Sequence, residues 1–422
     1  MAAPEAPGYR SLLASPGVAP LLTATLLARL ATRMFSLTLV LFTLGRFHAP
    51  ALAGWAAFLA IAPGLVVSPL AGALLDRLGT LRGIGIDLVL AAAVTALLAL
   101  AGAGLAPGAV LALAGLYSLS SPLGWGGIRA TLPRLVPAAL WPRVNALDTA
   151  THGAVDVTGP ALAGIVVASL GPAIAFAIIA AICAAAALAL LAVGPVPAPA
   201  ATRRSLGGDI ADAIRHFARH RTLRALALSY ALYNAAWGAL TILVPLVARA
   251  AFGGRGDATA GLLWALVGGA GILGALLAGR VRLAGRERRF LALGMVATAL
   301  AIFPLAAFGG LAGLALALVV TGLAAGPVDV ALMTLRQRRT APAWYARVLV
   351  LSMSLNVAGM PLGAALAGQL APFSRALAFA AAALAALAGA AAGALVPPEP
   401  VMPESVMPES VTPESVTPGP AA

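Results

Sequence analysis

The sequence has little charge and few aromatic residues. Only 10% of its 422 residues are charged, whereas 61% are hydrophobic, and the mean hydropathy is +0.98. That leaves too little polar surface to coat a water-soluble globule. Aromatic residues make up 5%, and the apolar stretches lack the strict apolar/polar alternation of an outer-membrane barrel. They therefore predict helices that cross a lipid bilayer.

Several kinds of chemistry are excluded by missing residues. The 27 basic residues are all arginine, so the chain has no lysine for a Walker A phosphate loop or a pyridoxal Schiff base. The single cysteine, Cys183, permits no internal disulfide and no cysteine-rich metal site. We find no Ser/His/Asp order, zinc-protease motif or pair of catalytic glutamates. The sequence predicts a protein that is not an enzyme and needs no cofactor.

The apolar windows predict an all-α integral membrane protein with twelve transmembrane helices in two six-helix bundles. Short segments containing breakers or arginines separate the windows. The predicted spans lie near residues 18–43, 51–75, 82–104, 108–128, 144–168, 172–194, 224–250, 258–280, 289–309, 311–333, 347–371 and 375–396.

The distribution of arginines predicts the orientation in the membrane. Most of them, including Arg336, fall at the N-terminus or after even-numbered spans, whereas few, including Arg249, lie on the opposite side. The positive-inside bias then places both termini in the cytoplasm, in the inner or plasma membrane. The formal net charge is +13, but it is spread over short clusters, so we expect no nucleic-acid partner.

An internal repeat supports two parallel halves. Gly-Ala-Leu-Leu at 72–75 recurs at 274–277, and Ala-Leu-Ala-Gly at 161–164 recurs at 365–368. We expect a first bundle at 1–194, a cytoplasmic linker at 195–223 with a basic amphipathic helix, and a second bundle at 224–396. The Pro/Glu/Ser/Val repeats at 397–422 predict a disordered tail. His216 and His220 lack further ligands nearby, so we expect no metal site.

The loop between the second and third spans carries a specific motif. Gly72, Asp76, Arg77, Gly79 and Arg82 follow the order G-x-x-x-D-R-x-G-x-x-R. This segment resembles the loop signature of the major facilitator superfamily, whose members have two six-helix bundles that rock around a central cavity. The resemblance implies that Asp76, Arg77 and Arg82 form a conformational latch between the bundles, while the two glycines allow close approach and a turn.

Gly159, Pro160 and Gly164 in the fifth span resemble the glycine-proline motif of the superfamily's drug/proton antiporters. Proline removes a helix hydrogen-bond donor and glycine permits close helix contact. The motif predicts a bent, tightly packed helix between the bundles.

Ionisable residues within spans are the main functional candidates, because burying a charge is costly unless it is paired or wetted. Asp148, His152 and Asp156 lie on one stripe of the fifth span, and Arg29 and Arg33 lie at similar depth in the first. A buried Arg/Asp network would either lock the bundle or couple protons to transport. We hypothesise that Asp156 takes and releases the coupling proton, with His152 as a relay.

The second half offers fewer polar candidates. Asp329, in the tenth span, is expected to line the cavity and could bind a cationic substrate group. Tyr233 and Asn234 either face the substrate or pack within the bundle. Asp87 is expected to pair with a loop arginine, and tryptophans such as Trp237 are expected in interfacial belts.

The resemblance implies a secondary active transporter that works by alternating access. The sparsely charged interior and the span-5 motif favour a monomeric exporter of small, partly hydrophobic compounds in exchange for protons. Two alternatives stay open. The protein could take up an organic anion, with Arg29 and Arg33 clamping its carboxylate, or it could be a membrane scaffold or sensor that transports nothing.

Overall fold

A computed structural model describes residues 9–137, 140–196, 215, 217–280, 286–306, 310–339 and 342–397. All regular secondary structure within these ranges is helical. The predicted amphipathic linker helix and the predicted disordered tail lie almost wholly outside the described residues.

Among the residues that the structure describes, eight helices lie in the first half. Proline occupies the first position of several of them, where its missing N–H costs no hydrogen bond. The helices are α1 (Tyr9–Ala14), α2 (Val18–Phe47), α3 (Pro50–Leu59), α4 (Ala62–Leu78), α5 (Thr80–Ala101), α6 (Pro107–Thr131), α7 (Trp141–Leu170) and α8 (Pro172–Leu191).

Six helices form the second half. They are α9 (Arg221–Phe252), α10 (Gly256–Arg280), α11 (Glu287–Ile302), α12 (Leu311–Arg339), α13 (Pro342–Leu370) and α14 (Arg375–Ala394). Short 3-10 turns follow α9 and α11.

Each predicted span overlaps at least one helix. The second differs from its prediction, because a break at Ala60 and Ile61 divides it into α3 and α4. Within the described residues, nine segments are long and apolar enough to cross a membrane, and one of these, Arg221–Ala278, covers both α9 and α10. The chain is a multi-pass helical membrane protein, and the count of twelve spans stays a prediction.

Glycines bring the helices of the second half close together. Cβ atoms at Gly359 and Gly363 on α13 would collide with the backbone carbonyls of Ala231 and Ala235 on α9. Such contacts are typical of membrane helices, which associate through close packing because lipid offers no hydrophobic drive. These glycines therefore pack helices, as their small-x-x-x-small spacing predicts.

The two halves meet at the end of the molecule that contains the turns after α2 and α9, which we call the far end. There α7 packs on α10 and α3 packs on α13. A Cβ atom at Gly164 would lie 2.7 Å from the Cα of Gly261, and one at Gly54 would lie 3.0 Å from the Cα of Gly368. Gly164 and Gly368 close the two copies of the Ala-Leu-Ala-Gly repeat, so the repeat supplies one glycine contact on each side of the interface.

Candidate functional site

Arg29 and Asp148 join α2 to α7. The Arg29 Nη2 atom lies 2.9 Å from the Asp148 Oδ1 atom, and Nη1 donates to the Asp148 backbone carbonyl at 3.1 Å. The two side chains are 9% and 28% exposed. Because both charges are largely removed from water and paired with each other, this contact is suited to fixing the two helices together.

Arg33 and Asp156 form a second ion pair between the same helices. The Arg33 Nε atom lies 2.6 Å from the Asp156 Oδ1 atom, and the side chains are 39% and 37% exposed. Gly159 makes room for this arginine, since a Cβ atom there would lie 2.6 Å from the Arg33 Cβ atom. The structure thus contains the Arg/Asp network that the sequence predicts, and its second pair is accessible.

His152 packs its ring edge-on against Trp125, with centroids 5.8 Å apart. Among the side chains that the structure describes, no loop arginine forms an ion pair with Asp87, contrary to the expectation. Its carboxylate accepts a hydrogen bond from the Ser120 hydroxyl at 2.7 Å, because α5 packs on α6 and carries Asp87 inward. A pocket within the first half is lined by Arg29, Asp87 and Trp125, among others.

Asp329 and Tyr230 form the polar centre of the second half. The Tyr230 hydroxyl donates to the Asp329 carboxylate, and the aspartate side chain is exposed. Tyr233, in contrast, is 1% exposed and its hydroxyl bonds with that of Thr298 at 3.2 Å. The buried position of Tyr233 favours the packing alternative over a substrate-facing one, and a substrate-facing role for Tyr233 stays a prediction.

Asn234 donates through its side-chain amide to the backbone carbonyl of Asn356 at 2.8 Å. This bond links α9 to α13 and satisfies one end of the amide. This contact therefore packs the helices of the second half together.

A row of aromatic rings extends from Tyr230. Ring centroids are 5.8 Å apart for Tyr230 and Tyr233, 6.3 Å for Tyr233 and Trp237, and 6.3 Å for Trp237 and Trp264. Trp237 and Trp264 are partly exposed. Helical spacing places residues 230, 233 and 237 along one side of α9, where Trp237 meets Trp264 of α10. The belt position expected for Trp237 stays a prediction.

Arg336 lies inside the protein rather than in a loop. The sequence placed it among the positive-inside arginines after the tenth span, but α12 continues to Arg339 and leaves Arg336 0% exposed. With the Asn356 amide oriented to satisfy both its ends, its oxygen accepts from Arg336 at 2.9 Å and its nitrogen donates to the Ser352 carbonyl at 3.0 Å.

The ionisable groups of the two halves face one region. Asp156 lies on α7 and Asp329 on α12, and α10 packs against both of these helices. A Cβ atom at Gly268 on α10 would lie 3.2 Å from the Asp156 carbonyl, and α10 packs on α12 as well. The region between the halves therefore holds the Arg33–Asp156 pair on one side and Asp329 on the other.

A charged contact ties the halves at the far end. The Arg249 guanidinium binds the Asp257 carboxylate at 2.5 and 2.9 Å and donates to the Leu41 carbonyl of the first half at 2.7 Å. The Gly164 Cβ position lies 2.5 Å from the Asp257 carbonyl. We call Arg249, Asp257 and Leu41 the far-end tie. Sequence reasoning missed it because both charged residues resemble ordinary loop charges.

The motif between α4 and α5 is only partly described. Gly79 has φ +86° and separates the two helices, a conformation that glycine adopts readily. Arg77 and Arg82 are exposed. The surroundings of Gly72 and the side chain of Asp76 are outside what the structure describes, so the latch stays a prediction.

Two helical halves that pack on each other at one end, each with ionisable groups in its apolar helices, have the architecture of a membrane transporter of the two-bundle class. The sequence matches the Major Facilitator Superfamily over residues 21–364. The chain belongs to that superfamily.

Similar proteins agree with this assignment. The chain is 48% identical over 394 residues to the uncharacterized MFS-type transporter y4rN of Sinorhizobium fredii (strain NBRC 101917 / NGR234), covering 93% of this chain and 97% of that protein. Its fold is similar to that of an auto-inhibited POT family peptide transporter, with TM-score 0.74, 14% identity and coverage of 93% and 98% of the two chains. The nucleoside transporter NupG gives TM-score 0.71, 16% identity and coverage of 89% and 98%.

Proposed function

We propose that the protein exports small, partly hydrophobic compounds in exchange for protons, as a monomer with both termini in the cytoplasm. The observation that carries this proposal is the accessible Arg33–Asp156 pair of the first half, together with Asp329 of the second half on a helix that packs on the same α10. Membrane-embedded ionisable groups are costly, and their position between two moving halves suits coupling better than static support.

Closure of the far end supports alternating access. Gly54, Gly164, Gly261 and Gly368 bring backbones of opposite halves together there. Since Asp329 and the Arg33–Asp156 pair are nevertheless exposed, we infer that they are reached from the linker side. Opening the far end and closing the linker side would then expose the same groups to the opposite face of the membrane.

Proton coupling requires a group whose charge changes the balance between states. Protonation of Asp156 would remove the partner of Arg33 and free α2 from one of its two ionic contacts with α7. His152, one helical turn away, could relay the proton. On the linker side, the latch residues Asp76, Arg77 and Arg82 would hold the opposite state, as the family resemblance implies.

Uptake of an organic anion has less support. Arg29 and Arg33 are both engaged by aspartates, so an incoming carboxylate would have to displace an existing partner at each. A scaffold that transports nothing also has less support, because such a protein would not need charged groups between its halves.

The test is transport into vesicles containing the purified protein. An imposed pH gradient should drive uptake of some members of a mixed pool of metabolites and hydrophobic drugs, and Asp156→Asn should abolish the dependence on the gradient. Thr158→Ala is the control, since Thr158 is exposed on the same helix and bonds only its own helix backbone at Ala154. Unchanged pH-driven transport in Asp156→Asn would contradict the coupling role.

A further inference from the structure

We propose that the acidic C-terminal tail, residues 397–422, binds back onto the linker side of the second half, opposite the far end. We call the surface that it covers the basic surface, and define it by four exposed arginines at the starts of α9 and α11: Arg221, Arg224, Arg286 and Arg289. This interaction lies within one chain, and it does not depend on the proposed function.

The charge of the basic surface is not neutralised by the part of the chain that the structure describes. Within that part, none of its four arginines forms an ion pair with a carboxylate. Glu287 lies next to them in the sequence, but it is 2% exposed and pairs with Arg338 at 2.9 Å. The linker at 195–223 contains more arginines than aspartates, so it adds positive charge. A surface of this kind attracts an acidic segment.

The last turn of α14 brings the two helix starts together. A Cβ atom at Gly393 would lie 3.1 Å from the Ser229 Oγ atom of α9 and 3.4 Å from the Leu291 Cδ2 atom of α11. At about 1.5 Å per helical residue, Arg224 is roughly 8 Å further along α9 toward the linker side, and Arg289 is roughly 3 Å further along α11. The arginines of both helices therefore flank the end of α14.

The tail begins at this same place. The Arg288 Nη1 atom donates to the Val396 carbonyl at 2.9 Å, and Val396 is 1% exposed, so the chain is held beside the start of α11 just before the tail. Glu399 follows three residues later, and its Cα atom can lie at most about 11 Å from that of Val396. The first glutamate of the tail is therefore confined to the neighbourhood of the basic surface.

The composition of the tail suits the basic surface. Its ionisable side chains are four glutamates spaced five residues apart, from Glu399 to Glu414, and its prolines recur between them. Proline-rich chains favour an extended form of about 3.1 Å per residue, which would put successive glutamates roughly 15 Å apart. Each glutamate could then reach a different arginine, whose planar guanidinium group matches a carboxylate.

The tail has an advantage over anionic lipid headgroups, which could also bind these arginines. Because it is attached to α14, its glutamates are present at an effective concentration of about the millimolar range, so individually weak pairs can add up. A headgroup carries no such attachment. The negative charge of the tail also keeps it away from an anionic lipid surface, which leaves the arginines as its nearest partners.

Modification of arginines by phenylglyoxal, quantified for each residue by mass spectrometry, measures whether the basic surface is covered. The full-length protein is used in phosphatidylcholine nanodiscs at low salt. We expect the four arginines to react about threefold or more slowly in the wild type than in a variant with all four tail glutamates changed to glutamine. Salt at about 1 M should abolish the difference, because it screens charges beyond about 3 Å.

Two controls separate the charge of the tail from other effects. Arg255 and Arg375 are exposed at the far end, so they should react equally in all proteins, and this equality also shows that the helices are intact. The triple variant Ser405→Ala, Ser410→Ala and Ser415→Ala changes the same tail but keeps its glutamates. It should protect the four arginines as the wild type does.

The proposal is overturned if the four arginines react equally in the wild type and the glutamine variant. It is also overturned if protection appears only when phosphatidylglycerol is added to the nanodiscs and is then the same in both proteins, since lipid headgroups would be the occupant. Protection of Arg77 and Arg82 in the first half, in place of the four, would contradict the location. Transport plays no part in these measurements, so neither result bears on the proposed function.

Discussion

The Arg249 guanidinium lies 2.5 Å from the Asp257 carboxylate and also donates to the Leu41 carbonyl of the other half at 2.7 Å. Arg249 and Asp257 are 22% and 18% exposed, so water weakens their pairing only in part. A hydrogen bond to a charged group contributes about 1.5–3 kcal/mol. The tie therefore favours closure of the far end, and the closed state depends on an arginine that crosses between the halves.

We expect Arg249→Ala to shift the far end toward its open state by roughly tenfold or more in population, since about 1.4 kcal/mol corresponds to one factor of ten. To measure this shift, spin labels are attached to cysteines introduced at positions 108 and 254. Pulsed electron paramagnetic resonance should then show a second population with a longer distance between the two labels. Both positions are glycines with open space around the Cβ site, and the native Cys183 is buried and should label poorly.

Arg46→Ala is the matched control for the far-end tie. Arg46 lies at the same end but donates to the Leu105 carbonyl within its own half, at 3.2 Å. Its removal should leave the distance distribution unchanged. If Arg46→Ala and Arg249→Ala gave the same distribution as the wild type, the tie would not govern closure.

Two glycines of α10 provide a matched test of the interface between the halves. A Cβ atom at Gly261 would lie 2.6 Å from the Pro160 carbonyl and 2.9 Å from the Gly164 Cα atom, whereas one at Gly269 meets open space. We expect Gly261→Ala to slow transport severalfold and to open the far end, because the two backbones can no longer approach. Gly269→Ala should transport normally and stabilise the protein slightly through its higher helix propensity. Equal transport rates for the two variants would show that this contact does not limit the cycle.

Sequence patterns predicted the helical framework well and the charged contacts unevenly. The Arg29, Arg33, Asp148 and Asp156 network was predictable because i, i+4 spacing on two long apolar helices leaves charges few partners except each other. The far-end tie was not, because a count of arginines by segment does not show how far the Arg249 side chain reaches across to α2.

Arg336 shows the same limit at a helix end. Apolar windows end where the charges begin, so Arg336 was assigned to a loop, but the helix runs on to Arg339 and the chain buries the charge. Bonding to Asn356 on α13, some twenty residues further along the sequence, is what makes this placement tolerable. The pattern of residues along the sequence does not show that Asn356 is the partner of Arg336.

A double-mutant cycle should show that Arg29 and Asp148 stabilise the first half. We expect Arg29→Leu or Asp148→Leu to lower stability by about 3 kcal/mol, because each leaves a largely buried charge without its partner. The double variant should be destabilised by less than the sum of the two, since no charge is then left unpaired. Thermal unfolding in detergent compares the stabilities of the wild type, the two single variants and the double variant. Additive losses would mean that the two residues act independently.

We expect the accessible Arg33–Asp156 pair to matter for transport, in contrast to the largely buried Arg29–Asp148 pair. A substitution at Gly159 tests this without removing a charge. A methyl group at 159 would lie 2.6 Å from the Arg33 Cβ atom and push the side chain away from Asp156. We expect Gly159→Ala to reduce pH-driven transport severalfold and to lower thermal stability as well, because the Arg33 Cβ atom lies next to the backbone and cannot give way without a shift of α2. Gly153→Ala, on the same helix, is the control, since its nearest neighbour is Ile272 at an ordinary 3.7 Å. Equal transport by the two variants would show that the position of Arg33 is not critical.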